Sequence, residues 1–127
     1  MASLLKNTRR PDITFHPRGN IDITARVTKM LALQPGDIVD INQEGGEFYL
    51  YVKHRAGSVP GRHEATLYPT SKRVKYCHNM RCHSMRLCRA MLDACSTTGI
   101  LRLPVGDPVD LRGTTALPII TRLAKQC

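Results

Sequence analysis

The sequence predicts an α+β chain: a β-rich first part, one long amphipathic helix, and short C-terminal strands. Three observations lead there. Residues 12–53 fall into short runs of alternating apolar and polar side chains broken by turn residues, the period of half-buried strands. Residues 71–95 place apolar side chains at helical spacing behind a Pro-Thr-Ser start. Residues 100–120 return to short apolar runs separated by Gly and Pro. At 127 residues the chain suits one compact domain or two very small ones.

The elements follow in order. Residues 1–11 are polar, end in Pro11 and read as a flexible arm. Residues 12–16 alternate as a strand, Pro17-Arg18-Gly19-Asn20 is turn chemistry, and Ile21-Asp22-Ile23 resumes the alternation. Thr24 can cap a short helix over 25–33, with Val27, Met30 and Leu31 on one side. Gln34-Pro35-Gly36-Asp37 stops it. Residues 38–41 form a third strand, and a hairpin turn holding Gly45-Gly46 leads to a fourth over 48–52.

Gly19-Asn20-Ile21-Asp22-Ile23, Val27, Leu31-Ala32-Leu33, Pro35-Gly36-Asp37, Val39 and Ile41, closed by a hairpin strand, resemble the AbrB/MazE/SpoVT swapped-hairpin module. The likeness covers residues 13–52, so residues 12–53 are assigned to that module and 54–127 to an extension of another kind. The resemblance implies a dimeric barrel, two copies interleaving their hairpins, and hence an obligate homodimer. Its DNA-binding members carry basic residues at the glycine turn and on the short helix. By position these are Arg18 and Asn20 at the turn, and Arg26 and Lys29 on the helix. The family's Ile-Pro before the helix is Ile23-Thr24 here, Asn20 stands where arginine is frequent, and Asp22 adds an acid beside the implied contact surface.

In the extension, residues 61–68 read as a strand and residues 71–95 as the long helix, which runs to about Cys95 or Ser96 with Gly99 near its end. Its apolar stripe is Cys77, Met80, Ser84, Leu87, Cys88, Met91, Leu92 and Cys95, with Lys75, His78, Cys82, Arg86 and Arg89 opposite. Residues 100–105, 108–111 and 116–120 read as short strands, with Pro104, Pro108 and Pro118 favouring sheet edges. Residues 99–104 echo the glycine turn and strand of the module. Without the short helix and Gly-Asp turn at the matching distance, no second copy is expected.

Charge narrows the function. Nineteen Lys plus Arg against ten Asp plus Glu give +9. Residues 1–53 hold seven cations and six acids, residues 54–97 eight and two, and residues 98–127 four and two. From Lys72 to Arg89 there are six cations and no acid, a block suited to phosphates and equally able to serve as a solvated face. No uncharged apolar run is long enough for a membrane span, and Lys6, Arg9 and Arg10 behind Leu4-Leu5 argue against a signal peptide. Five cysteines, an odd number, read as reduced thiols, so a soluble cytoplasmic protein is expected.

His78 and Cys82 at i and i+4 of a helix could offer two metal ligands, with His54 or His63 completing the set, but the cysteine spacing is wrong for a zinc finger. No metal and no cofactor are expected. Cys82, among cations, is the thiol expected to be reactive. Phosphate-binding glycine loops, nucleophile elbows and His-Glu metal helices are missing from the sequence, so an enzyme is not expected. The expected function is a dimeric DNA-binding transcriptional regulator. Arg18, Asn20, Arg26 and Lys29 act at the core, and Lys72, Lys75, Arg86 and Arg89 anchor phosphates from the helix. The alternative is an oligomerising or assembly component, a mobile-element accessory protein included, with a protein partner for its basic helix and no sequence-specific DNA binding.

Overall fold

The computed structural model describes residues 11–58, 63–70 and 79–121. Ile13–Phe15 (β1) turns through residues 16–19 into Asn20–Ile23 (β2), with Ile13 opposite Ile23 and Phe15 opposite Ile21. The turn depends on Gly19, whose φ of +103° suits glycine and whose N–H closes on the His16 carbonyl at 2.9 Å. Alternation then sends Ile13, Phe15, Ile21 and Ile23 to one face, all buried.

A short helix, Ala25–Met30 (α1), follows. Thr24 does not cap it with its side chain. The first free N–H, that of Ala25, instead donates to the Asn79 side-chain oxygen at 2.8 Å, from far along the chain. The helix ends in a Schellman arrangement, Leu33 N–H to the Thr28 carbonyl and Ala32 N–H to that of Lys29, with Ala32 at φ +50°. Asp37 explains the stop that follows. Its buried carboxylate accepts from the Gln34 and Ala56 N–H groups at 2.8 and 2.6 Å and from Arg55 at 3.0 Å. Ile38–Glu44 (β3) and Glu47–His54 (β4) then form a hairpin over Gly45-Gly46, both at positive φ as a two-residue turn of matching twist requires.

The second part differs from expectation. Tyr68–Pro69 (β5) is followed, beyond residues 71–78, by a strand, Met80–His83 (β6). Only Met85–Ala94 (α2) is helical, so no long helix over 71–95 is formed; Lys72, Lys75, Cys77 and His78 of that expectation lie outside the described residues. The reason is local. Met80 and Cys82 are buried while Arg81 and His83 point outward, a period of two. Ser84 then caps α2, accepting from Leu87 N–H at 3.1 Å and donating its hydroxyl proton to Glu64 at 2.7 Å. The apolar residues of a strand and of the helix behind it happen to fall on one helical stripe. Cys88, Met91, Leu92 and Cys95 are buried as that stripe requires, and α2 ends at Ala94 with Cys95 as its C-cap, close to the end expected at 95 or 96.

Leu101–Leu103 (β7), Val109–Leu111 (β8) and Thr114–Ile119 (β9) are the last elements among the described residues. Two antiparallel sheets result, β5-β6-β2-β1-β7 and β3-β4-β9-β8, and they do not close into a barrel. With strands at 42% and helix at 16%, the described protein is mainly β rather than α+β with a dominant helix. Both sheets draw strands from both sides of residue 53, so that position does not separate one sheet from the other. Pro118 lies in β9, an interior strand, just past the point where β8 has ended. The core is one cluster in which Phe15, Ile21, Leu50, Met80, Met91, Leu103, Leu117 and Ile119 are almost wholly buried, each contributing about 1.5–3 kcal/mol over exposure.

Candidate nucleic-acid interface

The outward row of the first sheet reads Arg102, Thr14, Asp22, Arg81, Tyr68 across its five strands. Its one acid is not free. Arg81 donates two hydrogen bonds to Asp22, at 2.5 and 3.0 Å, and His16 Nε2 lies 2.8 Å from the same carboxylate. The Arg81 hydrogen bonds, helped by His16, hold the Asp22 carboxyl below its usual range, and the same pairing raises Arg81 further. The acid beside the expected contact surface is therefore neutralised by a cation 59 residues away.

The expected site residues divide. Arg18 is exposed at the β1–β2 turn, where its carbonyl accepts from His83 Nε2 at 3.1 Å. Asn20 is half-buried in the ladder opposite His83, and its carbonyl takes the His16 N–H. Arg26 is tied to Asp12 at 2.9 Å. That buried carboxylate also accepts the Val105 N–H at 3.0 Å, which makes Arg26 chiefly a structural partner. Lys29, Arg86 and Arg89 are exposed on the two helices and meet no carboxylate among the described residues. Lys72 and Lys75 lie outside the described residues. Arg81 and Arg102 were not singled out from sequence, because only strand register sets them in one row.

Cys82 reverses its expected role. It is fully buried on β6, and burial pushes its thiol up to about 12, so it is a core residue rather than a reactive thiolate. The helical His78/Cys82 pairing does not arise either, since Cys82 belongs to a strand. Between the second sheet and the start of α2 lies an open cavity of about 290 Å³. Lys53, His54, His63 and Arg86 line it together with Asp40 and Glu64, a mixture of signs that favours no one ligand charge.

Charge is sorted between the sheets. The first sheet and the two helices carry Arg26, Lys29, Arg81, Arg86, Arg89 and Arg102 against Asp22 and Asp93. The second sheet carries Lys53 against Asp40, Glu44, Glu47 and Asp110. All ten acids and ten of the nineteen cations fall within the described residues, which are therefore neutral; the excess resides in residues 1–10, 59–62, 71–78 and 122–127. Residues 1–10 join the chain ahead of β1 and residues 71–78 link β5 to β6. The described residues beside them in sequence, Asp12, Thr70 and Asn79, stand at the end of the first sheet marked by Ile13, Ile23, Met80 and Pro69. Each of these segments has three cations and no acid.

No family model, no curated protein and no solved structure matches this chain. Among the described residues no helix is long and apolar enough to cross a membrane.

Proposed function

We propose that this protein binds nucleic acid, as a DNA-binding regulator whose affinity comes chiefly from phosphate contacts made on the side of the first sheet and the two helices. The observation that carries the reading is the sorting of charge. Cations without acid partners among the described residues (Arg18, Lys29, Arg86, Arg89, Arg102) occupy the first sheet, its turn and the helices, while the second sheet carries Glu47 and Asp110 together with Asp40 and Glu44, which pair with Lys53 and Arg112. Two acid-free basic segments, residues 1–10 and 71–78, neighbour strands of that same sheet in sequence. Unpaired cations on one side attract a polyanion there in preference to the second sheet, which favours one orientation before contact.

Sequence reading, where it exists, falls to Arg18. It is the exposed arginine on a tight turn at one end of the first sheet, and arginine pairs bidentately with guanine edges. The test is fluorescence anisotropy with a random duplex across a salt series. Log affinity should fall linearly with log salt, by about 0.9 per phosphate neutralised. Replacing Arg18 by Ala should reduce discrimination between sequences more than it reduces binding to random duplex. Binding indifferent to salt, or none at low salt, removes the reading.

A further inference from the structure

The second half of the chain repeats the first. Leu31, Leu33, Gly36, Asp37, Val39, Asp40 and Ile41 recur seventy residues on as Leu101, Leu103, Gly106, Asp107, Val109, Asp110 and Leu111. The Gly-Asp turn stands at the matching distance from the Leu pair, and a short helix stands in front of it, six residues farther off than in the first copy. Each copy is preceded by a strand, a hydroxyl residue and a helix: β2, Thr24, α1 in the first and β6, Ser84, α2 in the second. Both helices end alike. Ala32 and Ser96 are left-handed at φ +50° and +53°, and Thr97 N–H reaches back to the Leu92 carbonyl as Leu33 reaches Thr28; the Leu pair, which flanks this left-handed residue in the first copy, lies beyond it in β7 in the second. Both copies close with a hairpin whose two turn residues have positive φ, Gly45-Gly46 and Arg112-Gly113.

The copies meet as two-fold partners do. Equivalent strands pair with each other antiparallel, β2 with β6 in the first sheet and β4 with β9 in the second. A two-fold axis between equivalent strands produces that pairing, and a simple translation does not. Leu31, Leu33, Leu101 and Leu103 all enter the one core. Counting from the caps, Arg26 and Arg86 are each the second residue on, and Lys29 and Arg89 each the fifth. Since β2 and β6 run antiparallel, the helices that follow them leave from opposite ends of the first sheet.

We infer that the chain is a duplicated module folded on itself, a single-chain pseudo-dimer that offers equivalent helix cations, Lys29 and Arg89 foremost, to one two-fold-symmetric stretch of duplex DNA. The duplex as partner rests on the function proposed above; the duplication does not. A second chain is then unnecessary, because the surface that a homodimer would bury is covered within one chain. The second copy has also diverged. Asp107 is exposed where Asp37 is fully buried, and its hairpin is shorter.

The test uses the intact protein. Sedimentation equilibrium should give the 14.2 kDa monomer, and the urea midpoint should not move when protein concentration is raised about 100-fold. A dimer whose midpoint climbs with concentration overturns the inference. Titration into a short duplex should saturate at one chain per duplex. Lys29→Gln and Arg89→Gln should each lower the salt slope, by about one and to the same extent. An effect from only one of them overturns the shared surface. If the monomer unfolds independently of concentration yet ignores duplex at low salt, the nucleic-acid reading and the duplex partner fail while the duplication stands.

Discussion

Two carboxylates show how single residues were placed by distant partners. Asp12 draws Arg26 and the Val105 N–H onto one oxygen, joining the start of β1, the helix α1 and the loop after β7. Asp22 joins β2 to β6 through Arg81 and to the β1–β2 turn through His16. Nothing within a few residues of either acid signals these partners, so the sequence leaves Asp22 as an awkward acid and Arg26 as a free cation. Because folding lowers the Asp22 pKa, the stability it contributes is present above its unfolded value near 3.8 and is lost as pH falls through the depressed folded value. Urea midpoints should therefore fall on acidification below about pH 4. Asp22→Asn should flatten that acid limb while costing some stability at neutral pH. An acid limb of unchanged depth in the variant would assign it to other groups.

At the scale of elements, the β1–β2 hairpin and the β3–β4 hairpin were legible because a period of two and a glycine turn are short-range signals. The helix over 71–95 was not a sound extrapolation. Met80, Ser84, Cys88, Met91, Leu92 and Cys95 satisfy a helical stripe, yet β2 offers Met80–His83 an open ladder whose hydrogen bonds replace those of a helical turn. The capping residue, Ser84, marks the true start and could have been preferred over Thr70 or Ser71. Gly19 is the element-level hinge of the arrangement. A Cβ there would lie 2.6 Å from His83 Nε2 and 2.8 Å from Met85 Sδ, in a backbone conformation that side chains resist. Gly19→Ala should cost about 1–3 kcal/mol, read from chemical denaturation, and should disturb the junction of β6 with α2 as well as its own turn. A neutral effect would mean that the turn relaxes freely.

For the whole molecule, the pairing of β4 with β9 joins the two hairpins at Leu50 and Leu117, both buried. Leu117→Ala should cost about 2–5 kcal/mol in equilibrium unfolding and lower both sheets in one cooperative transition. Two separated transitions would instead show that the halves fold as independent units. By itself the sequence determined the local pieces: the strand alternation of residues 12–53, the positive-φ turns at Gly19 and Gly45-Gly46, the prolines and the net charge. Those properties depend on neighbours along the chain. It also contained the second Leu-x-Leu-x-x-Gly-Asp segment, which passes unnoticed when helix 71–95 is drawn through the strand that precedes it. Only the tertiary structure decided that residues 80–83 extend rather than coil, that Asp22 and Asp12 are neutralised, that Cys82 is core, and that the second half meets the first strand against strand. Each of these outcomes depends on a partner 14 to 93 residues away. Burial and backbone pairing reward such contacts only once the chain has closed on itself.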